Sequence, residues 1–333
     1  MTYWYPGVQE VIRISKEIHP GVPILLGGTY ARLCEDHART FSGADYVASD
    51  MGPDNPYNIF KIFNHLGIKF PSSKSHKTDY FYPAFDLLRK LDYVCIQTSI
   101  GCPYRCDYCA SRFLNPNFIR RIPDQIIDEI IFWHKNYQVR DFAFYDDALL
   151  VDSKKHMRIV LENIIKQGLN LRYHTPNAIH VREITADIAD LLFLAGFKTI
   201  RLGLETSDIY QHDSIDKKLS EGEFEKAIEN LFEAGFKKEM IGAYILMGLP
   251  GQTPESVART VEFAGKLNCN PYLAEYSPLP HTPMWQKALN CSSYDILSEP
   301  LYHNNSLLPC WDEEQRKMVP ELKQMVREIR ERN

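Results

Sequence analysis

Between about residues 93 and 276, short apolar, β-branched or aromatic runs alternate with stretches whose apolar positions recur every three or four residues. That is the pattern of strands alternating with amphipathic helices. The strand candidates are 93–99 (YVCIQTS), 141–146 (DFAFYD), 170–175 (NLRYHT), 199–204 (TIRLGL), 240–247 (MIGAYILM) and 271–276 (PYLAEY). Between them, Phe224, Ile228, Leu231 and Phe232 share one helical face, with Gly235 as the stop signal. Ile126, Ile127, Ile130, Ile131 and His134 repeat the pattern after Pro123. A spacing of roughly 30 to 50 residues suits one strand, one helix and two loops. The chain is therefore expected to be α/β with a parallel sheet, and six units predict an incomplete barrel rather than a closed eight-fold one.

The first 70 residues carry a shorter version of this rhythm: a helix at about 6–18, a strand at 22–28 (VPILLGG), a helix at about 31–41 and a short strand near 45–48. These are two βα units of a doubly wound, Rossmann-like sheet, too few to bury both faces of a stable parallel sheet. The segment reads as the end of a larger domain. Residues 68–80 (IKFPSSKSHKTDY) are polar and carry Pro and Ser, which marks a linker. After about Pro283 the rhythm stops, and the charged stretch 312–332 reads as a solvated terminal helix with balanced acids and bases. The expected organisation is an incomplete α/β segment over 1–70, a linker over 71–89, an incomplete barrel over 90–285 and a helical extension over 286–333.

Hydrophobic residues make up 44% and charged residues 24% of the 333 positions, which excludes a disordered or fibrous chain. Lys and Arg number 38 against 43 Asp and Glu, a formal charge of −5, and the bases are dispersed. Nucleic acid is not the expected partner. No apolar run reaches about 18 residues, and MTYWYPGV lacks the basic region, apolar region and cleavage site of a secretory signal. The expectation is a cytoplasmic protein with no membrane partner. Eight cysteines are too sparse for a disulfide framework.

Three of those cysteines form one motif. Ile100-Gly101-Cys102-Pro103-Tyr104-Arg105-Cys106-Asp107-Tyr108-Cys109 gives C-x3-C-x2-C directly after a strand candidate. A structural zinc site wants four protein ligands, and no fourth Cys or His lies nearby, because Cys95 sits inside the strand and His134 far along a helix. Iron–sulfur clusters are held by thiolates, and a cubane with three of them leaves one iron open to a ligand. A [4Fe–4S] cluster on Cys102, Cys106 and Cys109 is the leading reading, with zinc as the alternative.

C-x3-C-x-aromatic-C after the first strand of a six-unit βα barrel, with Tyr108 as the aromatic, resembles the radical S-adenosylmethionine (SAM) superfamily. The resemblance implies a partial (β/α)6 TIM-like radical SAM barrel. It also implies that the open iron chelates SAM and that one electron splits SAM into methionine and a hydrogen-abstracting 5′-deoxyadenosyl radical. An electron donor such as reduced flavodoxin or ferredoxin is implied as partner, and the chemistry is expected to be oxygen-sensitive. Carried onto this chain, the pattern makes Tyr108, Asp146, Asp147, Asn177, Glu205, Ser207, Lys217, Met247 and Gly248 candidate SAM contacts. Asp147 with Asp152 also reads as a helix cap, Lys217 as a solvated lysine, and Gly248 with Gly251 as a tight turn. His174 and His281 stand at strand ends, as substrate-facing groups or as satisfied core groups.

The stretch PILLGGTYARLCEDHA, followed by GADYV, resembles the last third of the cobalamin-binding domain that precedes many radical SAM barrels. Gly27 and Gly28 would let the backbone approach the cobalamin tail. The D-x-H-x-x-G signature of that domain has no counterpart, and Asp36-His37 does not fit its spacing. The competing reading is a simple α/β cap on the barrel. In the cobalamin-dependent branch, methyl transfer to an unreactive carbon is the implied reaction, on a substrate the residues do not name. The rivals are a methylthiotransferase-like radical SAM enzyme and a non-catalytic metal-binding module. Cys34, Cys95, Cys269, Cys291 and Cys310 lack the clustered spacing that a second cluster needs.

Overall fold

The computed structural model describes residues 1–50, 62–63 and 82–332. Residues 68–80 of the expected linker lie outside the described residues. The N-terminal segment runs α1 (Tyr5–Ile18), β1 (Leu25–Leu26), α2 (Gly28–Leu33), α3 (Glu35–Phe41) and β2 (Tyr46–Val47). β1 and β2 pair in parallel, as two βα units require. The single helix expected at 31–41 is broken at Cys34, whose φ of −130° and ψ of 53° leave the helical region.

The barrel follows as β3 (Tyr93–Ile96), β4 (Ser99–Ile100), α4 (Ser111–Leu114), β5 (Ile119–Arg120), α5 (Pro123–Tyr137), β6 (Asp141–Phe144), α6 (Met157–Gln167), β7 (Arg172–His174), α7 (Ala186–Ala195), β8 (Phe197–Glu205), α8 (Ile209–Ile215), α9 (Glu223–Glu233), β9 (Ile241–Met247), α10 (Pro254–Lys266) and β10 (Asn270–Glu275). Six strands form one sheet in the order β10-β9-β8-β7-β6-β3, every neighbouring pair parallel. All six strand candidates are therefore present in chain order. β3 and β10 remain the two edges, so hydrogen bonds do not close the barrel.

Alternation along each strand sorts side chains between two faces. Val94, Ile96, Phe142, Phe144, Tyr173, Ile200, Leu202, Leu204, Ile241, Ile245 and Met247 all belong to one buried core with the helices. Phe144, Tyr173 and Phe197 pack ring against ring in its floor, at centroid separations of 5.5 to 5.8 Å. Burial of each such side chain is worth about 1.5–3 kcal/mol. Helix ends follow the sequence: Pro123 and Pro254 open α5 and α10, and left-handed Gly168 and Gly196 close α6 and α7.

Beyond the barrel lie α11 (Trp285–Cys291), α12 (Glu313–Lys317) and α13 (Val319–Glu331). Here the expectation of a solvated helix over 312–332 is corrected. Leu322, Val326 and Ile329 of α13 are buried and join the main core, and Lys323 pairs with Glu275 of β10 at 3.0 Å. Charge content hid this, because one narrow apolar stripe docks the helix while its other faces stay polar. The two ends of the chain also meet. Tyr5 donates to Glu299 at 3.1 Å, and buried His303 faces the Thr2 hydroxyl at 3.0 Å.

Candidate active site

The loop after β4 carries the three cysteines, and its base is fastened by Asp146 at the end of β6. The buried Asp146 carboxylate accepts hydrogen bonds from the N–H and hydroxyl of both Thr98 and Ser99. Burial raises the pKa of this carboxyl, against the pull of those donors. Asp146, expected to touch SAM, anchors the cysteine loop chiefly through Oδ1, while its Oδ2 takes one bond of 3.1 Å from the Thr98 N–H. Asn177 reinforces the same corner, donating to the carbonyls of Tyr145 and Asp146 at 3.0 and 3.3 Å. Asp147 is exposed and accepts from Ser111, two residues beyond Cys109.

Cys102, Cys106 and Cys109 line one cavity of about 550 Å³, together with Tyr104, Arg105, Phe113 and His281. Cys106 is buried, and burial pushes its thiol up to about 12. Cys102 is raised for the same reason, and its sulfur lies 3.9 Å from His180 Nε2. Burial, with Lys218 nearby, pushes His180 down to about 3, so a neutral ring stands beside the thiol. Tyr104 packs on that ring at 4.2 Å and donates to Glu183 at 3.3 Å.

Next to the cavity lies a buried charge cluster. Lys218 Nζ is 3.6 Å from Glu205 and donates to the Tyr108 hydroxyl at 3.1 Å. Burial opposes the Lys218 charge, but Glu205, Cys106 and Asp216 outweigh it and raise its pKa. Glu205 is raised by burial, with Lys218 working against the shift. Tyr108 is raised well above its ordinary value by burial first and by Glu205 next. Glu205 holds a left-handed φ of 62° at a register shift in β8, and its carboxylate folds back over Gly203, where a Cβ would stand 2.9 Å from Oε1. A side chain at position 203 would displace the Glu205 carboxylate from this position.

Lys217 is exposed, and the lysine that enters the cluster is its neighbour Lys218. The left-handed φ of 54° at Lys217 turns the chain there, a step that spacing along DKKLS does not reveal. Ser207 is engaged with Thr260 of α10, whose hydroxyl is 3.1 Å from both its N–H and its hydroxyl. Met247 is fully buried in the helix-side core, away from the cavity lining. Gly248 has φ of 93°, and a Cβ there would meet Leu308 at 2.7 Å. Its N–H and that of Leu249 donate to Gln252 Oε1, while Gln252 Nε2 donates to the Leu246 carbonyl at 2.8 Å.

The two histidines left open by the sequence separate. His174 is satisfied on both ring nitrogens, by Thr199 and by Asp141. His281 stacks on Phe113 at 4.1 Å and lines two spaces, the cysteine cavity and a cleft of about 580 Å³. That cleft is bounded by Arg32, His37 and neighbouring residues of the N-terminal segment and by Trp285 and His303 beyond the barrel. His37 is held at its own side by the Tyr30 hydroxyl at 2.7 Å. Gly27 and Gly28 sit where β1 passes into α2, and nothing lies within 4 Å of the missing Gly28 side chain.

Whether these residues suit an iron–sulfur cluster follows from the donor set. Among the described residues, no three Cys, His, Asp or Glu side chains already converge as they would on a single metal ion. The three thiols instead ring a space, which suits a multi-iron cluster whose thiolates ligate separate irons. The cationic Lys218 beside Cys106 favours the thiolate form that ligation needs.

A half-open parallel barrel whose three clustered thiols stand at the rim, where the strands end, belongs to the class of barrel enzymes that work with a bound cofactor at that rim. The chain belongs to the radical SAM superfamily, whose family profile matches residues 96–264, just over half of it. Members of this superfamily use a [4Fe–4S] cluster and SAM. An uncharacterized methyltransferase of Pyrococcus horikoshii is 24% identical over 62% of this chain and 46% of its own length. The anaerobic magnesium-protoporphyrin IX monomethyl ester cyclase of Rubrivivax gelatinosus is 26% identical over 84% of this chain and 55% of its own. The chain thus spans about half the length of these curated relatives. In fold it is similar to the radical SAM methyltransferase TsrM of Kitasatospora setae, solved with cobalamin and a [4Fe–4S] cluster. That likeness has a TM-score of 0.70 at 15% identity, covering 97% of this chain and 76% of TsrM. No helix among the described residues is long and apolar enough to cross a membrane.

Proposed function

We propose that this chain holds a [4Fe–4S] cluster on Cys102, Cys106 and Cys109, cleaves SAM there, and uses the outcome for methyl transfer to carbon with cobalamin in the cleft beside the cysteine cavity. The observation that carries the reading is the lining of one cavity by all three thiols, with buried Glu205 and the partly buried Tyr108 and Lys218 close by. When bound, the cluster and SAM supply one electron and a carbon-centred radical able to abstract hydrogen. The chain's own residues have three tasks. Asp146, Thr98 and Ser99 hold the cysteine loop to the sheet. Lys218, fixed by Glu205 and Tyr108, presents a positive charge at the cavity, suited to a carboxylate of the ligand. Phe113 and His281, stacked on each other, line both the cavity and the cleft and form the boundary between them.

Three lines support the cobalamin part: the cleft next to the thiols, the parallel β1–β2 pair with its paired glycines, and the cobalamin in the similarly folded TsrM. A cytoplasmic low-potential flavodoxin or ferredoxin is the proposed electron donor. The test is anaerobic reconstitution with iron and sulfide, then reduction with dithionite in the presence of SAM. 5′-Deoxyadenosine is measured by mass spectrometry, with and without cobalamin. Wild type should yield it, and Cys106→Ala should lose both iron and product. A Cys106→Ala protein with full cleavage activity would refute the assignment, and indifference to cobalamin would remove the methyl-transfer part.

A further inference from the structure

Away from the cavity, two further thiols come together. Cys291 ends α11 and is exposed, while Cys310 is 7% exposed in a small core with Tyr276, Met284, Ala288 and Ile296. The Cys310 thiol meets that of Cys291, which also donates to the Ala288 carbonyl at 3.6 Å. The flanking chain is tied together at the same place. Arg316 of α12 donates to the Tyr294 hydroxyl at 2.8 Å and to the Ser293 hydroxyl at 3.3 Å, just along the chain from Cys291. Residues 292–309 therefore form a strap whose two ends lie side by side. The strap carries Leu297, Pro300 and His303, which line the cleft, and Glu299, which accepts from Tyr5 of the N-terminal segment.

We propose that Cys291 and Cys310 are a reversible disulfide site, closed by a low-molecular-weight disulfide such as oxidised glutathione and reopened by thiols. The exposed Cys291 thiolate attacks one sulfur of the oxidant, forming a mixed disulfide and releasing one thiolate. Cys310 then gives its proton to water and attacks the Cys291 sulfur, which breaks the mixed bond and releases the second thiolate. The protein loses two electrons and two protons, and the oxidant leaves as two thiols. The order follows from exposure: burial, with Cys291 alongside, raises the Cys310 pKa and holds that group as the thiol until its partner has reacted. A bond reached through an exposed sulfur is also open to reduction. Closing it pins both ends of the strap, and with them one wall of the cleft. The site does not depend on the proposed function.

The test is anaerobic treatment of the reconstituted protein with oxidised glutathione, then acid quenching, alkylation of the remaining thiols with N-ethylmaleimide and non-reducing peptide mapping by mass spectrometry. Wild type should give a cross-linked peptide joining Cys291 to Cys310, lost on treatment with dithiothreitol. Cys310→Ser should stop with glutathione on Cys291, and Cys291→Ser should leave Cys310 alkylated. Limited proteolysis reads the strap. Cleavage within residues 292–309 should slow by about tenfold or more once wild type is oxidised, because the closed loop has fewer open states, and oxidant should change neither serine variant. A wild-type protein in which Cys291 keeps its glutathione, pairs with another cysteine or stays alkylated overturns the proposal. So does an equal cleavage rate before and after oxidation. The wild-type measurements decide the matter even where a serine variant fails to fold.

Discussion

Lys218→Met tests the charge cluster most directly, because methionine keeps the apolar stem and deletes only the ammonium. In the native fold that ammonium is 3.6 Å from Glu205 and donates to Tyr108, with side chains 12% and 7% exposed across the pair. Removing one partner of a buried pair leaves the other charge uncompensated, at a cost of about 3–5 kcal/mol. For a barrel of this size, each kcal/mol shifts Tm by about 2–4 °C, so a drop of roughly 6–20 °C is expected. Glu205 sets the pH dependence. Burial already raises its folded pKa and Lys218 restrains the rise, so the variant's Glu205 climbs further. A raised folded pKa means that the folded state binds the extra proton. The variant should therefore come nearest to wild type in acid and lose stability progressively as pH rises from the ordinary carboxylate range through the folded value. Glu205→Gln in the same background should recover most of the loss. The assay is anaerobic thermal and guanidinium unfolding between pH 5 and 9. A Tm within a degree of wild type at pH 8, with no pH trend, would show a solvent-screened pair worth under about 1 kcal/mol and refute the reasoning.

Three further outcomes follow from the same geometry. Asp146→Ala leaves two buried N–H groups unpaired, at about 1–3 kcal/mol each; it should destabilise the protein and lower iron uptake on reconstitution, as iron and sulfide analysis will read. Gly248→Ala should cost more than Gly251→Ala. Both positions are left-handed, at φ 93° and 75°, a strain of about 1–2 kcal/mol for alanine, but only the former puts a Cβ 2.7 Å from Leu308; equal melting temperatures would rule out that contact. Leu322→Ala should cost about 2–5 kcal/mol if α13 is docked as a core helix, against about 0.5 kcal/mol for a solvated one, measured by denaturant midpoint.

What sequence alone determined is what depends on local pattern. Six strands with their order and parallel sense follow from alternating apolar runs, because each short β-branched run has no other way to bury itself between helices. The three cysteines proposed as cluster ligands could be picked out by spacing, since Cys102, Cys106 and Cys109 sit on one short loop and line one cavity. The identity of the second ring of residues depended on tertiary structure. Lys217 and Lys218 are adjacent in a polar stretch, and only the left-handed turn at Lys217 decides which one enters the core. Asp146 ends a strand, and only the fold shows that its carboxylate receives the Thr98 and Ser99 donors at the base of the cysteine loop. His174 is the last residue of β7 while His281 lies beyond the end of β10, and cross-strand partners satisfy the first while the second stacks on Phe113. The Lys218–Tyr108 contact joins positions 110 residues apart in sequence, so no local spacing announces it. Which charges are buried together depends on how distant loops meet at the strand ends, and no local pattern encodes that meeting.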